Sequence, residues 1–148
     1  MLLKDREFSV DVIVGRANPK IEDVKNLCES MPRVRFYDQV MNMAHLMLKA
    51  DLAFGGSGTS TWERMAVGLP AGVISIAENQ HQLAIDAAEA GAICYLGKPE
   101  EVSVEKIADF LKKLLANPTD LVSISAQAST LIDGRGTERV VQSMLENS

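Results

Sequence analysis

Five short apolar runs alternate along the chain with stretches whose apolar positions recur at helical spacing. The runs are FSVDVIVG (8–15), VRFYD (34–38), DLAFGG (51–56), PAGVISI (70–76) and AICYLG (92–97). They are rich in Val, Ile, Phe and Tyr, and the third and fourth lack a polar alternation, as strands covered on both faces require. Asn18-Pro19 suits an N-cap followed by proline at the first helical position, with Glu22 and Asp23 in the first turn and Ile21, Val24 and Leu27 as the apolar stripe. Residues 40–49 offer Ala44, Met47 and Leu48 on one face, with Met41, Met43 and Met47 as core filler. The pattern over 80–90 stops at Gly91, a natural C-terminal residue. Ser103 is placed to cap a helix that buries Ile107, Phe110, Leu111, Leu114 and Leu115 and stops at Asn117-Pro118. Residues 119–146 read as two further helices around DGRGTER, where Asp133 or Thr137 caps the last helix; the alternative use of that turn is to bring Arg135 or Arg139 near a cleft. Strand alternating with helix predicts a doubly wound α/β domain: a mostly parallel sheet of about five strands flanked by helices, in a single domain over 1–148.

Composition narrows the function. A chain of 148 residues, 47% hydrophobic and 24% charged, is long enough to bury a substantial core. The net charge of −5 leaves no basic surplus for nucleic acid, so no nucleic-acid partner is expected. A local anion site built from backbone amides stays open, because it needs no net positive charge. No window approaches the roughly 18 apolar residues of a membrane span. The opening MLLKDREFSV acquires charge too early for a secretory signal. Cys28 and Cys94 read as buried free thiols in a reducing cytoplasm, and two histidines without nearby cysteines predict no structural zinc. No metal and no cofactor is expected.

The chemistry concentrates in DLAFGGSGTSTWERMAVGLP (51–70), where Gly55, Gly56, Ser57, Gly58, Thr59, Ser60 and Thr61 separate the third run from a helical pattern. In open α/β sheets ligands bind beyond the C-terminal ends of the strands. A helix beginning near Thr59 to Trp62 would offer free N–H groups to a phosphate, with close approach through glycine and extra donors from the hydroxyls. The loop is neither a Walker A motif nor a G-x-G-x-x-G fingerprint. A flexible turn with ordinary helix capping is the competing reading. Glu63, one turn into the helix, either accepts the hydroxyls of a ribose or is a solvated acid favoured by the helix dipole. Trp62 reads as packing. AENQHQ (77–82), directly after the fourth run, supplies amides on the same edge of the sheet.

Taken in order, ADLAFGGSGTSTWERMAVGLPAGVISIAENQ (50–80) resembles the C-terminal half-site of GT-B nucleotide-sugar enzymes. Within them it is most similar to the UDP-sugar hydrolases of pseudaminic acid biosynthesis, including the spore-coat polysaccharide biosynthesis protein G group. VIVGRANPKIEDVKNL (12–27) and DGRGTERVV (133–141) extend the resemblance over most of the chain. It implies a Rossmann-like fold in which Gly56, Ser57, Gly58, Thr59, Ser60 and Thr61 hold a diphosphate. It further implies that Glu63 binds the uridine ribose, that Asn79 and Gln80 face the sugar, and that Gly15 to Asn18 lie near the nucleotide or the cleft. The implied reaction is hydrolysis of a UDP-linked 2,4-diacetamido-trideoxy sugar; related glycosyltransferases pass the sugar to an acceptor hydroxyl.

The family also carries an N-terminal domain with a glycine-rich loop and a catalytic histidine, which this chain is expected to lack, together with the first strand of the second domain. MLLKDRE resembles the tail of the helix after that strand. The expected strand order is 2-1-3-4-5, with an exposed or homodimer-filled seam as the alternative. No residue is assigned as catalytic base: His81, near the proposed cleft, also fits a helix-surface or capping role, and His45 reads as structural. The expected partners are UDP or a UDP-sugar and an N-terminal GT-B domain or partner chain. Two competing readings are a non-catalytic UDP-sugar-binding module and a flavodoxin-like interaction domain; the second is disfavoured by strand ends that carry Gly, Asn and hydroxyls in place of an acidic cluster.

Overall fold

The computed structural model describes residues 8–146. In chain order they form β1 (Val10–Ile13), α1 (Ile21–Glu29), β2 (Val34–Tyr37), α2 (Met43–Met47), β3 (Ala53–Gly56), α3 (Ser60–Ala66), β4 (Ala71–Ile74), α4 (Glu78–Glu89), β5 (Cys94–Gly97), a 3-10 turn (Pro99–Glu101), α5 (Val104–Ala116), α6 (Pro118–Leu131) and α7 (Gly136–Glu146). Every strand pairing is parallel. The five expected strands occur, but in two sheets and not one: β1–β2 and β3–β4–β5 give the expected 2-1 and 3-4-5 neighbours, while the expected 1-3 pairing is absent among the described residues. The chain groups correspondingly into two compact units, residues 1–43 and 44–148.

In the first unit β1 and β2 run in register from Val10 opposite Val34 to Ile13 opposite Tyr37. Asp11 and Arg35 face each other across that ladder as an ion pair at 2.6 Å. Val14 and Cys28 are the buried hydrophobics among its described residues. The helix start differs from expectation. Asn18 is not the N-cap; its Oδ1 accepts the Lys20 N–H at 2.9 Å, Lys20 takes the cap position, and α1 begins at Ile21. The physical reason is a preceding turn: the Asn18 N–H donates to the Gly15 carbonyl, and Ile21 N–H returns to the Asn18 carbonyl, so Pro19 lies in the turn.

In the second unit β4 is central, and Ala71, Gly72 and Val73 are all buried, which accounts for the missing polar alternation. The core joins Met65, Ala71, Val73, Ala84, Ala87, Ala92, Ile93 and Ala128, with Trp62, Tyr95 and Ile132 packed against it. Trp62 therefore serves packing, as expected. The alanines at 84, 87 and 128 are buried in that core. Gly72 makes room for two aromatic rings: a Cβ there would lie 2.9 Å from both Phe54 and Phe110, which meet edge-on at 5.4 Å.

Local signals held where they were self-contained. The Ser103 hydroxyl accepts the Lys106 N–H at 3.2 Å, α5 stops before Asn117, and Leu114 is buried. α4 gives way at Gly91, whose φ of +73° suits glycine. The stripe over 40–49 did not form: α2 has five residues, Met47 is buried, and Met41 and Leu48 are 93% and 68% exposed. Barely more than one turn cannot present a face. Cys28 is buried but Cys94 is half-buried, and both are free thiols.

Candidate functional site

Because β3, β4 and β5 are parallel, the chain leaves all three at the same end. Ser57 N–H donates to the Ile74 carbonyl and Ser75 N–H to the Gly97 carbonyl, each at 3.0 Å, so the segments after the strands start side by side. This end carries the glycine-hydroxyl loop, Ser75–Glu78 and Lys98–Glu100. The last two segments line a cleft of about 250 Å³ with Ser75, Ile76, Glu78, Lys98 and Glu100 in its wall. Ile76 also reaches the loop: a Cβ on Gly56 would lie 3.1 Å from its Cδ1.

Two hydroxyls of the loop are engaged with the protein. Ser57, buried, donates to the Gln80 Oε1 at 3.2 Å, and Thr61, also buried, donates to the Gly56 carbonyl at 3.2 Å. The N–H groups of Thr61 and Trp62 return to the carbonyls of Gly58 and Thr59 at 2.9 and 3.0 Å. Among the described residues, no carbonyl or side chain accepts from the backbone N–H groups of Gly58, Thr59 and Ser60. The chain thus brings Gly56, Ser57, Gly58, Thr59, Ser60, Thr61 and Gln80 into one cluster with adjacent unused donors. Glu63 is exposed one turn further along α3. Asn79 is exposed in the first turn of α4 and takes no part in the loop's hydrogen bonds.

The flanking charges are tied locally. Lys98 Nζ donates to Glu78 Oε2 at 3.0 Å; that bond holds the Glu78 carboxyl below its ordinary value and the ammonium above its own. His81 Nδ1 lies 2.8 Å from the Tyr95 hydroxyl, so the histidine nearest the cleft has a partner on β5. In the DGRGTER turn Asp133 accepts from Arg139 Nη1 at 2.7 Å and from Arg135 N–H at 3.0 Å, while Arg135 also pairs with Glu138. These contacts fit the helix-linking reading of that turn.

Sequence reasoning missed Arg64. It is 6% exposed, and its Nη2 donates to the Gly56 carbonyl at 2.8 Å and to Thr61 Oγ1 at 3.0 Å. Its Nε is buried without a partner, and no carboxylate pairs with it among the described residues. Burial pulls the guanidinium below its usual value, with the neighbouring Glu63 carboxylate opposing. Gly55 makes room for it: a Cβ there would lie 2.7 Å from Nη1. The available signal was periodicity, since Arg64 falls with Thr61 and Met65 on the face of α3 that turns inward.

Comparison with known proteins bears on the fold and the family. Over 138 residues the chain is 31% identical to the spore coat polysaccharide biosynthesis protein SpsG of Bacillus subtilis (strain 168), covering 93% of this chain and 40% of that protein. The chain therefore spans well under half the length of this relative. Among solved structures, MurG of Acinetobacter baumannii superposes with a TM-score of 0.75 at 19% identity, over 97% of this chain and 43% of MurG. The UDP-GlcNAc 2-epimerase of Neisseria meningitidis, crystallised with UDP-GlcNAc, gives 0.68 at 18% identity, over 94% of this chain and 36% of the epimerase. These likenesses show the Rossmann-like α/β fold of a GT-B C-terminal domain. Residues 2–140 match the glycosyltransferase family 28 C-terminal domain, and the chain belongs to that family.

Proposed function

We propose that residues 1–148 act as the UDP-sugar-binding half of a GT-B enzyme of polysaccharide or nonulosonic-acid biosynthesis, working in the cytoplasm. The observation that carries this reading is the trio of unused N–H donors at Gly58, Thr59 and Ser60, at the sheet end where open α/β folds take their ligands. Gly56 to Thr61 cradle the diphosphate, and Gln80 supports the loop through Ser57. Glu63 accepts the ribose hydroxyls, and Asn79 and Gln80 face the sugar. The name of the Bacillus relative supports a polysaccharide pathway, and the epimerase bound to UDP-GlcNAc supports a nucleotide-sugar on this fold.

The reaction breaks the bond between the sugar C1 and the diphosphate oxygen, releasing UDP. Water as acceptor gives hydrolysis, which we favour on the resemblance to the pseudaminic acid hydrolases; an alcohol as acceptor gives transfer. Either acceptor needs a base within hydrogen-bond reach. The base is assigned to an N-terminal GT-B domain or partner chain, as the resemblance implies.

Titration of the purified chain with UDP tests the reading, with AMP as the negative ligand and Glu63→Ala as the variant. Saturable UDP binding, weakened about tenfold or more by loss of the charge-assisted ribose contacts, is expected. A folded chain that ignores UDP would overturn it.

A further inference from the structure

A buried guanidinium normally faces a carboxylate, because an uncompensated charge in the interior is expensive to keep. Arg64 has none among the described residues, and its Nε has no partner at all. What it does have is the loop: Nη2 holds the Gly56 carbonyl at 2.8 Å and the Thr61 hydroxyl at 3.0 Å. The Gly56 carbonyl also receives the Thr61 hydroxyl at 3.2 Å, so its position does not depend on Arg64 alone. As a clamp the arginine is therefore partly redundant. As a charge it is not, since the N–H groups of Gly58, Thr59 and Ser60 supply only partial charges in the same loop.

We propose that Arg64 is a positioning residue for the phosphates of the ligand: held behind Gly55 and Gly56 with no ion-paired carboxylate among the described residues, it supplies the positive charge that the second phosphate of a diphosphate neutralises. The inference rests on the diphosphate reading of the loop. A fixed cation that is itself buried is screened less by water than one at the surface and acts on an anion more strongly. The ligand completes the charge balance that the protein leaves open, so Arg64 discriminates by ligand charge and not by nucleoside. Gly55 belongs to the same device, because any side chain there would move the guanidinium.

The test titrates the full chain with UDP and with UMP. In Arg64→Met the preference for UDP over UMP is expected to fall about tenfold, the scale of a lost charged contact. UMP affinity changes little, and the melting temperature does not drop, because an apolar side chain replaces an unpaired charge. Gly55→Ala keeps the charge but displaces it, so it reduces the same preference in wild type and adds nothing in the Arg64→Met background. Should Arg64→Met fail to fold, Gly55→Ala alone decides. Equal losses for both nucleotides would make Arg64 a structural clamp and overturn the proposal, as would an unchanged preference. Wild type that binds neither nucleotide would instead refute the nucleotide reading of the loop.

Discussion

Gly72 lies where two aromatic rings converge, on the central strand of a three-stranded sheet, with no space for a methyl group. Its would-be Cβ meets Phe54 and Phe110 at 2.9 Å, too close for either rigid ring to absorb without moving. Gly72→Ala is therefore expected to cost about 1–3 kcal/mol through overpacking. Urea denaturation checks it: the midpoint falls while the slope is unchanged, and an unchanged midpoint would show that Phe110 can swing aside. Asp133 offers a prediction of another kind. Two hydrogen bonds, first from Arg139 and then from the Arg135 N–H, hold its carboxyl down to about 2. A depressed carboxyl stabilises the fold above its unfolded value, and that contribution disappears as pH falls through about 2. An NMR titration of the carboxyl resonance in Arg139→Gln should find the midpoint moved back toward the usual ~3.9. A midpoint that stays put would assign the shift to the turn's backbone alone. Neither residue's role was legible in the sequence in this detail. Asp133 was one of two capping candidates, and Gly72 gave no signal because Phe110 reaches it from a distant helix.

Helices and strands were legible in proportion to how locally they are determined. α5 carries its own start and stop, a serine whose hydroxyl takes the Lys106 N–H and an Asn-Pro pair at the far end. Ser103→Ala should destabilise the protein by about 1 kcal/mol, with Ser103→Thr retaining most of that. A thermal melt of the three proteins checks it; equal values for serine and alanine would mean that water replaces the cap. β4 was legible because burial on both faces removes alternation. α1 was misplaced because Asn18 entered a turn with Gly15, a choice that capping preference alone does not decide. The candidate loop was legible as glycines and hydroxyls, and Gln80 as a neighbour on the same edge. The internal half of the site was not. Arg64 meets backbone carbonyl and hydroxyl oxygens in place of a carboxylate, so no opposite charge at helical spacing announces it.

The two units differ sharply in what they bury. Residues 44–148 hold β4 between two neighbours, with Met65 and Val73 fully enclosed and alanines from α4 and α6 packed around them. Residues 1–43 hold two four-residue strands and the nine-residue α1, with Val14 and Cys28 as the buried hydrophobics among those described. A two-stranded sheet is marginal by itself. The Asp11–Arg35 pair on it leaves Arg35 open to solvent, and such pairs contribute little. Amide hydrogen exchange should therefore separate the units. Amides of Val73 on β4 and of Ser75, bonded to the Gly97 carbonyl, exchange through global unfolding, while those of Val10 and Val14, bonded to the Arg33 and Tyr37 carbonyls, exchange through a smaller opening at least tenfold more often. Mild denaturant sharpens the contrast, since a smaller opening exposes less surface and its exchange responds less steeply to urea. If β1 and β4 instead share one protection level and one urea slope, the first unit has no independent opening. Its stability would then come from contacts beyond its own two strands and helix.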